Sequence, residues 1–301
     1  MKNVFDFFIF AIGIGSSLAT LLLFHFEFWP ILNDQGKIGI LFLGFFAIFF
    51  FLYSLGITTY FRKRSRYSKI FGDLNFAFAA IHKIEASEKN QSDLSLQARR
   101  KLDVLSALDS VCTQLSTAFS LVHGEKIGVC MKLIAQKTNS NRQYVLTIAR
   151  DNNSIANRNR QIDHDKEKKR DFIDINTDFN TIFLNEKNQS GAGYVYLNRL
   201  PMRRDYRNSR LEEGWATVTN FAPLDALLRN ISWKLEYKTT LTCAIKPIHK
   251  RDYSARDNGI RGYLCIDSKK NYGLNKEIDS LILMGVSDAI YDVIDEIHQF
   301  Y

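Results

Sequence analysis

The chain has 301 residues and a formal net charge of +8, and 24% of its residues are charged. This length suits a membrane anchor followed by one globular domain. The charge is unevenly distributed, because apolar residues crowd the first sixty positions and a basic run follows them directly. Membrane topology accounts for much of the positive excess, so nucleic acid is not an expected partner.

Two uncharged apolar segments, residues 7–26 and 38–61, predict a transmembrane hairpin. Each segment is long enough to cross a hydrocarbon core of about 30 Å as a helix, which satisfies its own backbone hydrogen bonds there. Trp29, in the short turn between the segments, suits the membrane interface. A cleaved signal peptide is the alternative for the first segment, but no small-x-small cleavage site lies before the turn.

The basic run after the second segment predicts the orientation of the hairpin. It contains Arg62, Lys63, Arg64, Arg66 and Lys69, whereas the turn between the segments offers a single lysine. The positive-inside rule therefore places both termini in the cytoplasm. We expect residues 1–69 to be a multi-pass anchor in a bacterial inner membrane, with the lipid bilayer as their partner.

Residues 70–91 are predicted to form a helical connector. Ile70, Leu74, Ala77, Ile81 and Ile84 make a heptad-like stripe, which indicates that the membrane helix continues inward and pairs with a neighbour. We therefore expect a homodimer or a higher homo-oligomer. A second helix, from about residue 92 to residue 122, carries its own apolar stripe. That stripe either docks on a following sheet or forms a dimer seam.

Residues 92–301 are predicted to form a cytoplasmic α+β domain. Beyond the first helix we expect five strands, at residues 127–135, 143–149, 194–200, 239–248 and 259–268. Short helices are expected at 179–187 and 224–233, and a final helix at 275–297 is apolar along one face. This order predicts an antiparallel sheet with the N- and C-terminal helices packed on one face.

The end of the chain resembles the GAF domain family. The strand TTLTCAIKPI ends near a proline, GYLCID follows as a strand with the Gly-apolar-apolar-small-apolar-Asp pattern, and a loop leads to a long amphipathic helix. The resemblance implies a sensory domain with a small-molecule pocket on the sheet face opposite the terminal helices. The variable middle of the chain, residues 151–233, would roof that pocket. The signature residues of cyclic-nucleotide, bilin and methionine sulfoxide reductase members are missing, so the resemblance does not identify the ligand.

The predicted roof is basic, and the planar guanidinium group of arginine suits phosphate or carboxylate. An anionic ligand such as a nucleotide second messenger is therefore one interpretation. The candidate binding residues are Tyr194, Tyr196, Arg199, Arg203, Arg204, Tyr206 and Arg207, in which the tyrosines would stack on a base. The alternative is a solvated loop, or a surface against anionic lipid headgroups.

The sequence carries no recognisable catalytic motif. It has no P-loop, dinucleotide-binding glycine fingerprint or HExxH, and no His pairs with a Ser or Cys in a nucleophile context. Four cysteines form no CxxC pair and are expected to be buried reduced thiols, not disulfides or metal ligands: Cys112, Cys130, Cys243 and Cys265. We expect no enzymatic activity, no cofactor and no metal.

Three functional hypotheses remain open at this stage. The first is a membrane-anchored GAF-like signalling module that binds a small ligand, with an anion as one candidate, and has no catalytic output domain of its own. The second is a two-transmembrane effector of a bacterial anti-phage system, which a nucleotide second messenger would trigger to disrupt the membrane. This second hypothesis is an architectural analogy. The third is a non-catalytic membrane scaffold.

Overall fold

The computed structural model describes residues 34–86, 94–136, 142–152, 171–188, 193–209, 211, 228–231, 233, 235–247 and 259–298. The predicted first membrane segment and Trp29 lie outside these residues, so the two-helix hairpin stays a prediction. The chain divides into two compact units, Met1–Arg64 and Ser65–Tyr301.

Helix α1, Asp34–Ala86, contains the second predicted membrane segment. Its stretch Gly44–Phe61 is apolar enough and long enough to cross a membrane, and none of it is buried. It is the one such stretch in the part of the chain that the structure describes. The helix then continues without a break through the five basic positions that flank this stretch and through most of the predicted connector. The helix of the second predicted segment therefore extends into the predicted connector. Its direction relative to a membrane stays a prediction.

The second compact unit contains an α+β fold. Along the chain follow α2 (Leu94–His123), β1 (Ile127–Gln136), β2 (Gln143–Arg150), α3 (Thr177–Lys187), β3 (Tyr194–Leu197), β4 (Thr239–Ile245), β5 (Gly262–Ser268), α4 (Lys276–Ala289) and α5 (Tyr291–His298). Two single turns of 3-10 helix, Ile173–Ile175 and Leu200–Met202, precede α3 and follow β3. The five described strands form one antiparallel sheet in the order β2-β1-β5-β4-β3.

The terminal helices cover one face of this sheet, as predicted. Leu108, Leu115 and Phe119 of α2 share a core with Leu283 of α4 and Ile294 of α5. Strand residues at alternating positions complete this core, among them Val129, Met131, Leu133, Leu241, Leu264 and Ile266. Most of the apolar stripe of α2 therefore docks on the sheet, whereas Leu102 is exposed. The dimer seam stays a prediction.

Several predicted elements have different bounds in the structure, and two of the differences have a clear backbone cause. Strand β3 stops at Leu197 instead of residue 200, because Arg199 adopts a left-handed conformation (φ 49°) and a 3-10 turn then begins at Leu200. The predicted last helix is two consecutive helices, separated at Ile290, whose N–H bonds to both Val286 and Asp288 carbonyls. Of the predicted helix at 224–233, the described part is helical at 228–231.

Candidate functional site: a polar cavity on the open sheet face

The second face of the sheet carries a polar row at its centre. Arg150 of β2, Cys130 of β1, Cys265 of β5 and Thr242 of β4 stand directly opposite one another across the four strands. Directly opposite residues of an antiparallel sheet point to the same face. The row therefore sets a guanidinium, two thiols and a hydroxyl side by side on the face that the terminal helices leave uncovered.

A β-bulge in β2 produces part of this row. The register moves from Ala149 opposite Met131 to Thr147 opposite Lys132, so that β2 has one extra residue, Ile148. Ile148 and Ala149 consequently both pack in the core beneath the terminal helices. Arg150 then returns to the opposite face, where its guanidinium donates to Thr147 Oγ1 at 3.1 Å. Bulges commonly redirect a side chain in this way.

A cavity of about 50 Å³ lies on this row. Strands β1, β2, β4 and β5 form its floor, and the segment around the start of α3, together with two residues of the later loops, forms its roof. The lining residues are Cys130, Lys132, Arg150, Asp171, Asn176, Asp178, Phe179, Asn208, Tyr237, Thr240, Cys265 and Asp267. The cavity thus lies where the GAF resemblance implies a pocket.

Lys132 is a buried cation of this cavity, with 6% of its surface exposed. Its Nζ donates to Thr147 Oγ1 at 3.1 Å and lies 3.6 Å from Asp171 Oδ2. The ammonium also lies 5.7 Å from the centre of the Phe179 ring, in cation–π geometry. Asp171 is held in turn by the hydroxyl of Ser209. These contacts compensate the desolvation of the charge, which a buried lysine requires.

The desolvation of the Asp178 carboxylate is less well compensated by its contacts. It lies in the first turn of α3 with 4% of its surface exposed, and its Oδ2 accepts a long hydrogen bond of 3.4 Å from Thr242. Among the described residues its buried Oδ1 has no hydrogen-bond partner. Burial raises the pKa of Asp178 to about 6, and Asp267 adds repulsion, while the adjacent N–H groups and Lys132 oppose the shift. A buried carboxylate oxygen without a donor is a position where a ligand can supply one.

An aromatic cluster supports the roof beside the cavity. The Tyr206 ring is 5.9 Å from that of Trp233, and its hydroxyl is 3.2 Å from that of Tyr237. Asn208 donates to both hydroxyls, at 3.4 and 3.3 Å. Burial raises the pKa of Tyr206 well above its ordinary value. Tyr206 therefore stays neutral and holds in place two residues that line the cavity, Asn208 and Tyr237.

The structure separates the seven residues that the sequence suggested as a ligand site. Tyr194 and Tyr196 pack against the core of the terminal helices, on the opposite face from the cavity, and Tyr196 donates to the Leu274 carbonyl at 3.1 Å. Exposed Arg199 lies over the ring of Tyr272. The remaining arginines are exposed on the surface of the roof and line no part of the cavity: Arg203, Arg204 and Arg207. Tyr206 alone lies next to the cavity, so the geometry does not join the seven into one site.

Sequence reasoning missed the residues that do line the cavity. The sequence pattern indicated these residues only in part. Asp267 and Cys265 belong to the GYLCID strand that carried the resemblance. No group of three or more His, Cys, Asp or Glu that could hold a metal ion occurs within the described ranges. All four cysteines are free and buried, in agreement with the prediction.

Comparison with known proteins adds little to the geometry. No protein-family model and no curated protein matches the chain. Similar solved structures include the GAF domain of an Acinetobacter phosphoenolpyruvate-protein phosphotransferase, with 11% identity, a TM-score of 0.31, and coverage of 70% of this chain and 98% of that one. The chromophore-binding domain of a bacteriophytochrome from R. palustris has 12% identity, a TM-score of 0.33, and coverage of 69% and 64%. Similarity at this level supports no argument about this chain. The description of the fold therefore rests on the observed sheet and helices.

Proposed function

We propose that the chain is a membrane-anchored, GAF-like sensory module that binds a small polar ligand in the cavity around Asp178. The architecture supports the sensory reading, since terminal helices cover one sheet face and a roofed polar cavity lies on the other. The exposed apolar stretch Gly44–Phe61 supports anchoring. The observation that carries the ligand proposal is the buried Oδ1 of Asp178, which has no hydrogen-bond partner within the described ranges.

The size and charge of the cavity restrict the ligand. About 50 Å³ is room for a few water-sized groups, far below the roughly 300–1,000 Å³ of pockets that take drug-sized molecules. Among the described residues three aspartates and two cations line it, so an anion would meet an excess of carboxylates there. The cavity therefore favours a small neutral or cationic ligand with a hydrogen-bond donor. This changes the sequence-based expectation of an anionic nucleotide.

Thermal unfolding of the full-length protein in non-ionic detergent tests the proposal. The panel contains small amines, amidines, amides and polyols, with cyclic mono-, di- and oligonucleotides beside them. A ligand at 100 times its dissociation constant adds about 2.7 kcal/mol to the stability of the folded state. We expect a member of the first group to raise the melting temperature, and Asp178→Asn to abolish the rise.

The matched control is Asp205→Asn, because Asp205 is an exposed aspartate of the same roof. It should leave the ligand-induced shift intact. Stabilisation by a nucleotide that is lost in Arg203→Ala/Arg204→Ala but kept in Asp178→Asn would contradict the proposal. That result would favour the nucleotide-triggered membrane effector. A panel without any stabilising member would favour the scaffold.

A further inference from the structure

Two of the four free cysteines face each other across neighbouring strands. Cys130 of β1 and Cys265 of β5 are register partners, and both line the cavity. Directly opposite residues of antiparallel strands have Cα atoms about 4.5–5.5 Å apart. This range falls within the roughly 4.4–6.8 Å that a disulfide spans. The Cα spacing is therefore compatible with a disulfide, and closing the bond also requires the Cβ atoms to approach from about 4.5–5.5 Å to about 3.5–4.5 Å.

The two thiols are chemically unequal. The hydrogen bond from Cys265 lowers the pKa of Cys130, and Arg150 and Lys132 lower it further against the effect of burial. The pKa of Cys265 is raised well above its ordinary value, first by the same hydrogen bond and then by burial. A thiol that ionises more readily is the better nucleophile, and its neighbour can then resolve the product.

The other two cysteines provide an internal contrast. Cys112 and Cys243 lie in the core beneath the terminal helices and line no part of the cavity. Burial raises the pKa of both thiols, for Cys243 to about 11. Structural cysteines of this kind are inert. Reactivity is thus expected at one pair and not at the other two positions.

We propose that Cys130 and Cys265 are a peroxide-reactive dithiol that closes to a cross-strand disulfide inside the cavity. The Cys130 thiolate attacks one oxygen of hydrogen peroxide, the O–O bond breaks, and the departing hydroxide takes a proton to leave as water. The Cys265 sulfur then attacks the Cys130 sulfenic acid, and a second water departs. Two thiols lose two electrons and two protons, and one peroxide becomes two waters. The proposal is independent of the ligand at Asp178.

The cavity selects the oxidant by size. Hydrogen peroxide is close to water in size and fits a space of about 50 Å³, which admits single waters above roughly 10–15 Å³. A bulky organic hydroperoxide such as cumene hydroperoxide does not fit the same space. We therefore expect hydrogen peroxide to oxidise the pair at least about tenfold faster than cumene hydroperoxide, measured against a free thiol peptide exposed to both.

The experiment treats the reduced full-length protein in detergent with hydrogen peroxide, alkylates the remaining thiols and maps the peptides by mass spectrometry. The expected product is a Cys130–Cys265 disulfide with Cys112 and Cys243 alkylated. Cys265→Ser should stop at a sulfenic acid on Cys130, which dimedone traps. Cys112→Ser and Cys243→Ser are the matched controls, and both should still form the disulfide.

Three results would overturn the proposal. One is a wild-type chain whose four thiols all stay alkylatable when the thiol peptide is fully oxidised. Another is a disulfide that involves Cys112 or Cys243. The third is equal rates with the two peroxides relative to the peptide, since reaction would then not pass through the cavity. The wild-type map decides these points even if a cysteine variant fails to fold.

Discussion

Asp178→Asn is the most informative single substitution in this chain. In the wild type one oxygen of this buried carboxylate lacks a hydrogen-bond donor in the part of the chain that the structure describes. A second carboxylate, Asp267, is close enough to repel it. Asparagine keeps the shape and an acceptor for the Thr242 hydroxyl, and it removes the charge. Its NH2 group can also donate where the carboxylate could only accept.

The pKa of Asp178 gives the magnitude of the expected change in stability. The pKa is raised from 3.8 to about 6, a difference of about two units, and each unit corresponds to about 1.4 kcal/mol. The folded state holds its proton more tightly than the unfolded state, so this group's contribution to stability falls as the pH rises through the interval from 3.8 to about 6. Above this interval the ionised Asp178 costs about 3 kcal/mol. We expect Asp178→Asn to be more stable than the wild type by up to this amount at pH 7.5, and about equal to it near pH 3.5.

Urea unfolding of both proteins in the same detergent, at intervals from pH 3.5 to pH 7.5, measures the difference. Subtracting the two curves removes the titration of all groups that the proteins share. The expected difference grows with pH and levels off above about pH 6. A variant that is less stable than the wild type at pH 7.5, or a difference that does not change with pH, would refute the reasoning. Asp205→Asn again serves as the control, with no expected effect beyond about 0.5 kcal/mol.

The remaining predictions concern the fold and the membrane. A Cβ at Gly262 would lie 2.1 Å from the Lys132 carbonyl oxygen, so Gly262→Ala should lower the free energy of unfolding in urea by about 3 kcal/mol. The control is Gly128→Ala, because a Cβ at Gly128 would lie 3.9 Å from its nearest neighbour. It should change the stability by less than about 1 kcal/mol. Equal effects would contradict the close strand approach. Asn275 caps α4 by accepting from two N–H groups, and Asn275→Ala should cost about 1 kcal/mol; no loss would mean that the cap is dispensable. The full chain should stay in carbonate-washed membranes, and its recovery as soluble protein would refute the span Gly44–Phe61.

The elements of the domain were predictable because each has a clear hydrophobic period. The hydrophobic pattern is enough to locate the strands GYLCID and TTLTCAI and the apolar stripes of α2 and α4. The order of these elements then predicts the sheet with helices on one face. Boundaries shifted where local backbone geometry intervened, as at Arg199. The hydrophobic period alone indicates only weakly where such a backbone turn ends a strand.

The cavity was not predictable, for two physical reasons. Strand β3 reads YVYL, with apolar or aromatic residues at every position, so the sequence does not say which alternate pair faces the helices. Tyr194 and Tyr196 took that face. The second reason is the bulge in β2, which depends on pairing with β1 and leaves no mark in QYVLTIAR. Without it, Arg150 would not be expected beside Cys130.

That bulge absorbs the one residue that strict alternation in β2 cannot place. Losing one residue at Ile148 or Ala149 would restore strict alternation from Thr147 onward and leave Arg150 two positions after Thr147, on the side of the cavity. Such a deletion leaves the composition of the strand almost unchanged. A one-residue deletion at this point therefore preserves the charged lining, whereas straightening β2 without a deletion turns the guanidinium of Arg150 toward the apolar core.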